Sequence, residues 1–102
     1  LKGVALRATM SKHVGVMRTP DGLAAAADIL GSLAGSASES VEPSRRAFET
    51  TNMLTIAVAV VSAARMREES RGCHRRSDHP EHVDAWHRHL TCRIVDGRME
   101  VS

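Results

Sequence analysis

From Ser44 to Arg71 the chain contains no Gly and no Pro. An uninterrupted stretch of that kind has one regular solution, an α-helix roughly 40 Å long at 1.5 Å per residue. The spacing predicts a helix over about 44–71, with Ser44 or a neighbour as its N-cap and Gly72 just beyond its end. Arg65, Arg67 and Arg71 would then lie in the last turns, where the dipole favours cations. The centre, Ile56 to Ala64, is broken only by Ser62 and is apolar nearly all round. It is therefore expected to be covered on more than one side, as the central helix of its domain. That apolar run is about half of the roughly 20 residues needed to cross a bilayer, so no transmembrane helix is expected.

Two further helices are expected to cover it. Leu6, Met10 and Val14 recur at helical spacing, predicting a helix over about 4–14 that Gly15 interrupts. Thr19 as N-cap, Pro20 at the first helical position and Asp21 near the positive end of the dipole mark the next start. That helix should run over about 20–35, burying Leu23, Ala26, Ala27, Leu30 and Leu33, with Ala34 on the same face. Residues 35–43 turn to Gly, Ser, Glu and Pro, a composition that suits a flexible connection. The apolar set contains 14 Ala, 10 Val and 7 Leu beside one Phe, one Trp and no Tyr, which suits closely approaching helices.

After Gly72 the pattern becomes polar and aperiodic. Asp78-His79-Pro80-Glu81 reads as a turn, and a short helix over 82–89 is weakly indicated. Asp96-Gly97 between two short extended runs is a two-residue hairpin signal, although a lone hairpin needs something to pack on. The expected fold is all-α, a spectrin-repeat-like three-helix bundle over 1–90, followed by an irregular tail over 91–102 that forms a short hairpin.

With 102 residues and a formal net charge of +2, the chain is sized for one modest domain. Cys73 and Cys92 make no disulfide framework and no CxxC pair, so a reducing cytoplasm is the expected setting. No secretory signal pattern opens the sequence. The start at Leu1, running almost directly into a helical pattern, suggests a piece excised from a longer protein.

Three constellations invite chemistry. His74, His79, His82, His87 and His89 fall within 16 residues, near Cys73 and Cys92. Imidazole and thiolate suit zinc, but no CxxC and no His pair at i, i+4 are present, so solvated or interface histidines are preferred to a metal site. The basic series Arg65, Arg67, Arg71, Arg75, Arg76 is interleaved with Glu68, Glu69 and Asp78 and has no aromatic platform nearer than Trp86. A charge-rich helix end docked on another surface is preferred to nucleic-acid binding. No Gly-rich phosphate loop and no recognisable nucleophile set occur, and His74 alone as a general base lacks partners.

Three strings carry a resemblance: LRATMSKHVGVMRTPDGL from Leu6 to Leu23, ETTNMLTIAVAVVSAARMREESRGCHRRSDHP from Glu49 to Pro80, and WHRH from Trp86 to His89. Together they resemble the C-terminal helical domain of the succinate dehydrogenase/fumarate reductase flavoprotein family. The family pattern falls on Met10, Gly15, Val16 and Arg18. It continues on Glu49, Asn52, Leu54, Ala57, Ala64 and Arg67, and then on Glu69-Ser70-Arg71-Gly72, His74, Arg76, Asp78 and Pro80. Cys73 stands where a small residue is usual, Arg75 where an aromatic is common, and 81–86 is one residue short. The chain stops 13 residues after His89, which resembles the aspartate-oxidising branch more than the longer dehydrogenase and reductase subunits.

The resemblance implies an FAD enzyme whose flavin-binding and capping domains lie upstream, with quinolinate synthase as a pathway neighbour. It implies no catalytic, cofactor-binding or metal residue in this stretch, and no membrane or nucleic-acid partner. Arg18, Glu69, Arg71, His74, Arg76 and Asp78 are the residues expected to dock the helical domain on the flavoprotein body through charge-assisted hydrogen bonds. Pairing of Glu69 with Arg71 inside their own helix end stands as the alternative. Separated from its parent, the piece could self-associate through the same face. A free-standing helical interaction module and a small metal-binding protein are the competing classes.

Overall fold

A computed structural model describes residues 2–36 and 44–102. Three helices dominate it: α1 (Lys2–His13), α2 (Pro20–Ser36) and α3 (Arg45–Met66). The connection expected over 35–43 lies, from residue 37 onward, outside the described residues. Both helix starts expected from sequence are built as read. The Gly22 N–H donates to Thr19 Oγ1 at 2.9 Å, and the Ala47 N–H donates to Ser44 Oγ at 3.1 Å. Each satisfies a donor that a first turn leaves without a partner.

The core lies where the three helices meet. Leu6 and Val14 from α1 and the turn after it, Leu23, Ala26 and Leu30 from α2, and Leu54, Ala57, Val61 and Ala64 from α3 are buried together. Met10, Ala27, Leu33, Met53 and Val58 pack against this cluster. Thr9 is buried too, with its hydroxyl donating to Ala5 O at 2.8 Å, so its polar atom stays satisfied inside its own helix.

Three expectations are corrected. First, the described residues are helix-rich without being all-α. Met17–Arg18 (β1) pairs in parallel with Arg75–Arg76 (β2), and Cys92–Val95 (β3) pairs antiparallel with Arg98–Val101 (β4). The β3–β4 turn has positive φ at both Asp96 (51°) and Gly97 (78°), the type I′ geometry that Asp-Gly favours, and β4 lies against α3.

Second, α3 stops at Met66 rather than near residue 71, and Gly72 is not its terminator. Arg67 is extended (φ −78°, ψ 97°), so the chain leaves the helix five residues early and carries Glu69 inward. Gly72, at φ 56°, instead turns the chain between Arg71 and His74, whose backbones bond each other at 2.8 and 2.9 Å. The short helix expected over 82–89 is a single 3-10 turn, Asp84–Trp86.

Third, α3 is not covered all round. Its buried stripe is Leu54, Ala57, Val61, Ala64, while Ile56 is 64% exposed and Val60 37%. A groove of about 400 Å³ opens between α1 and α3 beside them, lined in part by Leu6, Met10, Met53 and Ile56. By length and composition α3 is long and apolar enough to cross a membrane, because Phe48, Met53 and Leu54 extend the run counted above. Within this chain it is the element on which α1, α2 and β4 pack.

Candidate interdomain docking site

The segment from Arg67 to Trp86 holds little apolar material, so its order must come from polar bonds. At its centre is Glu69, whose side chain is closed to solvent. Arg67 Nη1 donates to its Oε2 at 2.6 Å, Arg71 Nε to both oxygens at 3.1 Å, and the Val83 N–H to Oε1 at 2.9 Å. The Arg71 hydrogen bond is the largest influence on its acidity. It outweighs the opposing effect of burial and, with Val83 and Arg67, holds Glu69 at about 2 against a usual 4.5. Its two arginine partners are themselves part-exposed, Arg67 at 17% and Arg71 at 34%.

Arg67 does more than pair. Its Nη1 also donates to Trp86 O and its Nη2 to Arg88 O at 2.6 Å. Its guanidinium lies 5.9 Å from the Trp86 ring centroid, with that of Arg88 at 5.2 Å. One side chain thus ties the end of α3 to Glu69 and to the 3-10 turn.

Arg76 explains why α3 can end without a glycine. Its Nη1 donates to Ala64 O (3.3 Å), Arg65 O (2.9 Å) and Arg67 O (3.4 Å), carbonyls that the helix terminus leaves unpaired. The other edge of the same guanidinium grips Asp78, Nε to Oδ1 at 3.0 Å and Nη2 to Oδ2 at 2.7 Å, the two-pronged geometry that arginine forms and lysine does not. Burial pushes the Asp78 carboxyl upward, but these bonds prevail and hold it below its ordinary value. Ser70, buried, accepts from the Arg76 N–H at 2.9 Å and donates to His79 O at 2.7 Å.

His74 joins this loop to the far side of the helices. Its Nδ1 lies 3.0 Å from Arg18 Nη1 and its Nε2 3.0 Å from Arg67 O. Burial lowers its pKa below 6.5; the bond to Arg67 O opposes this, and the charges of Arg18, Arg67 and Arg76 add to the lowering. Beside it the β1–β2 pairing and a bond from the Ser77 N–H to Arg18 O at 2.8 Å fasten the α1–α2 junction to the loop.

All six residues singled out from the sequence therefore gather in one place. Glu69, Arg76 and Asp78 are bonded within the chain, and Arg71, one-third exposed, donates to Glu69 and through Nη2 to Val83 O at 3.3 Å. Sequence reading missed Arg67 as the hub and Ser70 as a buried crosslink; the Glu-Ser-Arg-Gly string was their available signal. Facing outward around the loop are Val16 (84% exposed), Met17 (60%) and the exposed Gly72, Cys73 and Arg75. Among the described residues no three His, Cys, Asp or Glu side chains come together as metal ligands. No Gly-rich strand-to-helix turn able to cradle a pyrophosphate is among the described residues either.

A helical unit closed by a loop built on Glu-Ser-Arg-Gly and His-Arg-Arg-Ser-Asp has a family. The chain belongs to the C-terminal domain family of the fumarate reductase flavoproteins, described as "Fumarate reductase flavoprotein C-term", which matches residues 4–102. Among individual relatives, L-aspartate oxidase of Streptomyces coelicolor is 39% identical over 103 residues, covering 93% of this chain and 18% of the relative. L-aspartate oxidase of Mycobacterium leprae is 35% identical over 96 residues (94% of this chain, 18% of the relative). That of Rhodospirillum rubrum is 43% identical over 75 residues (74% and 24%). The chain thus spans between about a sixth and a quarter of the length of these relatives.

Proposed function

We propose that this chain is the C-terminal helical domain of an FAD-dependent L-aspartate oxidase, and that its loop face docks on flavin-carrying and capping domains of the same protein. The observation that carries the proposal is 39% identity to L-aspartate oxidase of Streptomyces coelicolor across 93% of this chain. FAD, when bound to the upstream domains, would accept the hydride that leaves the aspartate Cα, giving iminoaspartate. Iminoaspartate would pass to quinolinate synthase on the way to NAD. The protein would work in the cytoplasm, without a membrane or nucleic-acid partner.

The share assigned to this chain is mechanical. The helices are read as a three-helix bundle that holds one rigid edge, and Arg67, Glu69, Ser70 and Arg76 hold the loop in one shape on that edge. Arg71, Arg75, Val16 and Met17 then meet the flavoprotein body, an apolar centre rimmed by guanidinium groups. No residue of this chain is assigned to the chemical step, to FAD or to a metal. Self-association of the separated piece through the same face is the corollary. Membership of a family described by fumarate reductase keeps a dehydrogenase or reductase subunit as the second reading.

The test is anaerobic mixing of the full-length flavoprotein with L-aspartate or with succinate while following flavin absorbance. Bleaching by aspartate with formation of an imine that can be trapped supports the proposal. Bleaching by succinate alone would favour the second reading, and bleaching by neither would refute both.

A further inference from the structure

We propose that His74 is a pH-sensitive latch between the α1–α2 junction and the loop after α3, clasping Arg18 when neutral and repelling it when protonated. Its consequence for docking rests on the function proposed above; the latch itself rests on geometry. A guanidinium has five N–H donors and no acceptor. Arg18 Nη1, 3.0 Å from His74 Nδ1, can only donate, which requires a lone pair on that nitrogen. The proton of the neutral ring is then on Nε2, where it meets Arg67 O at 3.0 Å. Both ring nitrogens are thereby assigned, and an imidazolium would turn a second N–H directly toward the guanidinium.

A protonated ring keeps its bond to Arg67 O, but three guanidinium groups oppose its charge. Arg18 faces it from β1, Arg67 from the end of α3 and Arg76 from β2. The nearby carboxylates are already engaged, Glu69 by Arg67 and Arg71 and Asp78 by Arg76. Arg18 has little else to hold it, since its Nε is buried without a hydrogen-bond partner among the described residues. Loss of the His74 contact therefore leaves the junction attached mainly by backbone, through the two-residue β1–β2 pairing and the Ser77–Arg18 bond. Val16 and Met17, which the docking reading turns toward the flavoprotein body, belong to that junction. Mild acid should loosen them before it touches the helical core.

The experiment is hydrogen exchange, corrected for intrinsic rates, on the full-length protein from about pH 7.5 to about pH 5.5, across the ordinary histidine range. The native protein should lose protection in the peptides covering 15–19 and 75–78 as pH falls. His74→Asn, whose Oδ1 still accepts from Arg18 but does not titrate, should keep that protection. Arg18→Gln should likewise flatten the pH dependence, because the charged ring would face a neutral amide. Equal protection of the native protein at both ends of the range, or the same acid loss in His74→Asn, would overturn the latch. FAD retained in the same samples separates the two readings: opening of 15–19 without flavin loss upholds the latch and counts against docking by this face.

Discussion

The helical body and the loop after it hold themselves together by different means. In the body, nine buried apolar side chains, six of them Leu or Val, are packed from three helices and the turn after α1. Their attraction is non-directional and spread over many contacts, so a lost methyl group weakens it by degrees. In the loop, four charged side chains, Arg67, Glu69, Arg76 and Asp78, and one hydroxyl bond one another and the backbone at defined angles. Removing one member costs more abruptly, because buried polar groups such as the Glu69 carboxylate or the α3 carbonyls lose a partner they cannot replace with water. The body can drift in sequence and keep its shape, whereas the loop keeps its shape only with these groups. A surface that must match a neighbour is better built in the second way.

That contrast can be broken most sharply at Arg76. Arg76→Ala removes the α3 terminal cap and leaves its carbonyls without their donor, an expected loss of about 3 kcal/mol or more in chemical denaturation, and Arg76→Lys should recover only a small part of it. If Lys restores full stability, the two-pronged geometry is not what matters. Leu23→Ala, in the body, should cost about 3 kcal/mol while leaving the loop's hydrogen-exchange pattern intact once native conditions are restored. Acid sharpens the comparison from another side. Glu69 and Asp78 are more acidic in the folded chain than unfolded, so their contribution is complete above about pH 4.5 and is lost as pH falls toward 2. His74, also lowered, adds loss as pH drops below 6.5. Thermal unfolding followed against pH should therefore decline in two stages, with the Glu69→Gln variant lacking most of the lower one. Ser44→Ala, which removes a cap far from the loop, should cost about 1 kcal/mol and leave that pH profile unchanged.

What was legible in the sequence divides along the same line. Helix starts at Thr19-Pro20 and Ser44, the apolar stripe through Leu23 and Leu30, and the Asp96-Gly97 turn depend on neighbours in sequence, and they form as read. The end of α3 depends on Arg76, which reaches back from beyond Gly72, and no local signal places it at Met66. Glu69 lies in a run of charges that reads as a solvated helix end, yet it is buried because Arg67, Arg71 and the Val83 N–H converge on it. Apolarity all round α3 predicts burial all round. Exposed Ile56 and Val60 show that composition indicates a need for cover without saying which element in the same chain supplies it. All six candidate site residues were picked from the resemblance, while their mutual bonding came only from three dimensions.

The central claim is that the face around Met17 and Gly72 seats this chain on a flavin-carrying neighbour. Met17 is 60% exposed, and its side chain has no part in the loop's polar network. Met17→Glu in the full-length protein should therefore leave the helical core intact and still lower the FAD retained per chain after gel filtration. Flavin content equal to that of the unmodified protein, at unchanged thermal stability, would contradict the account.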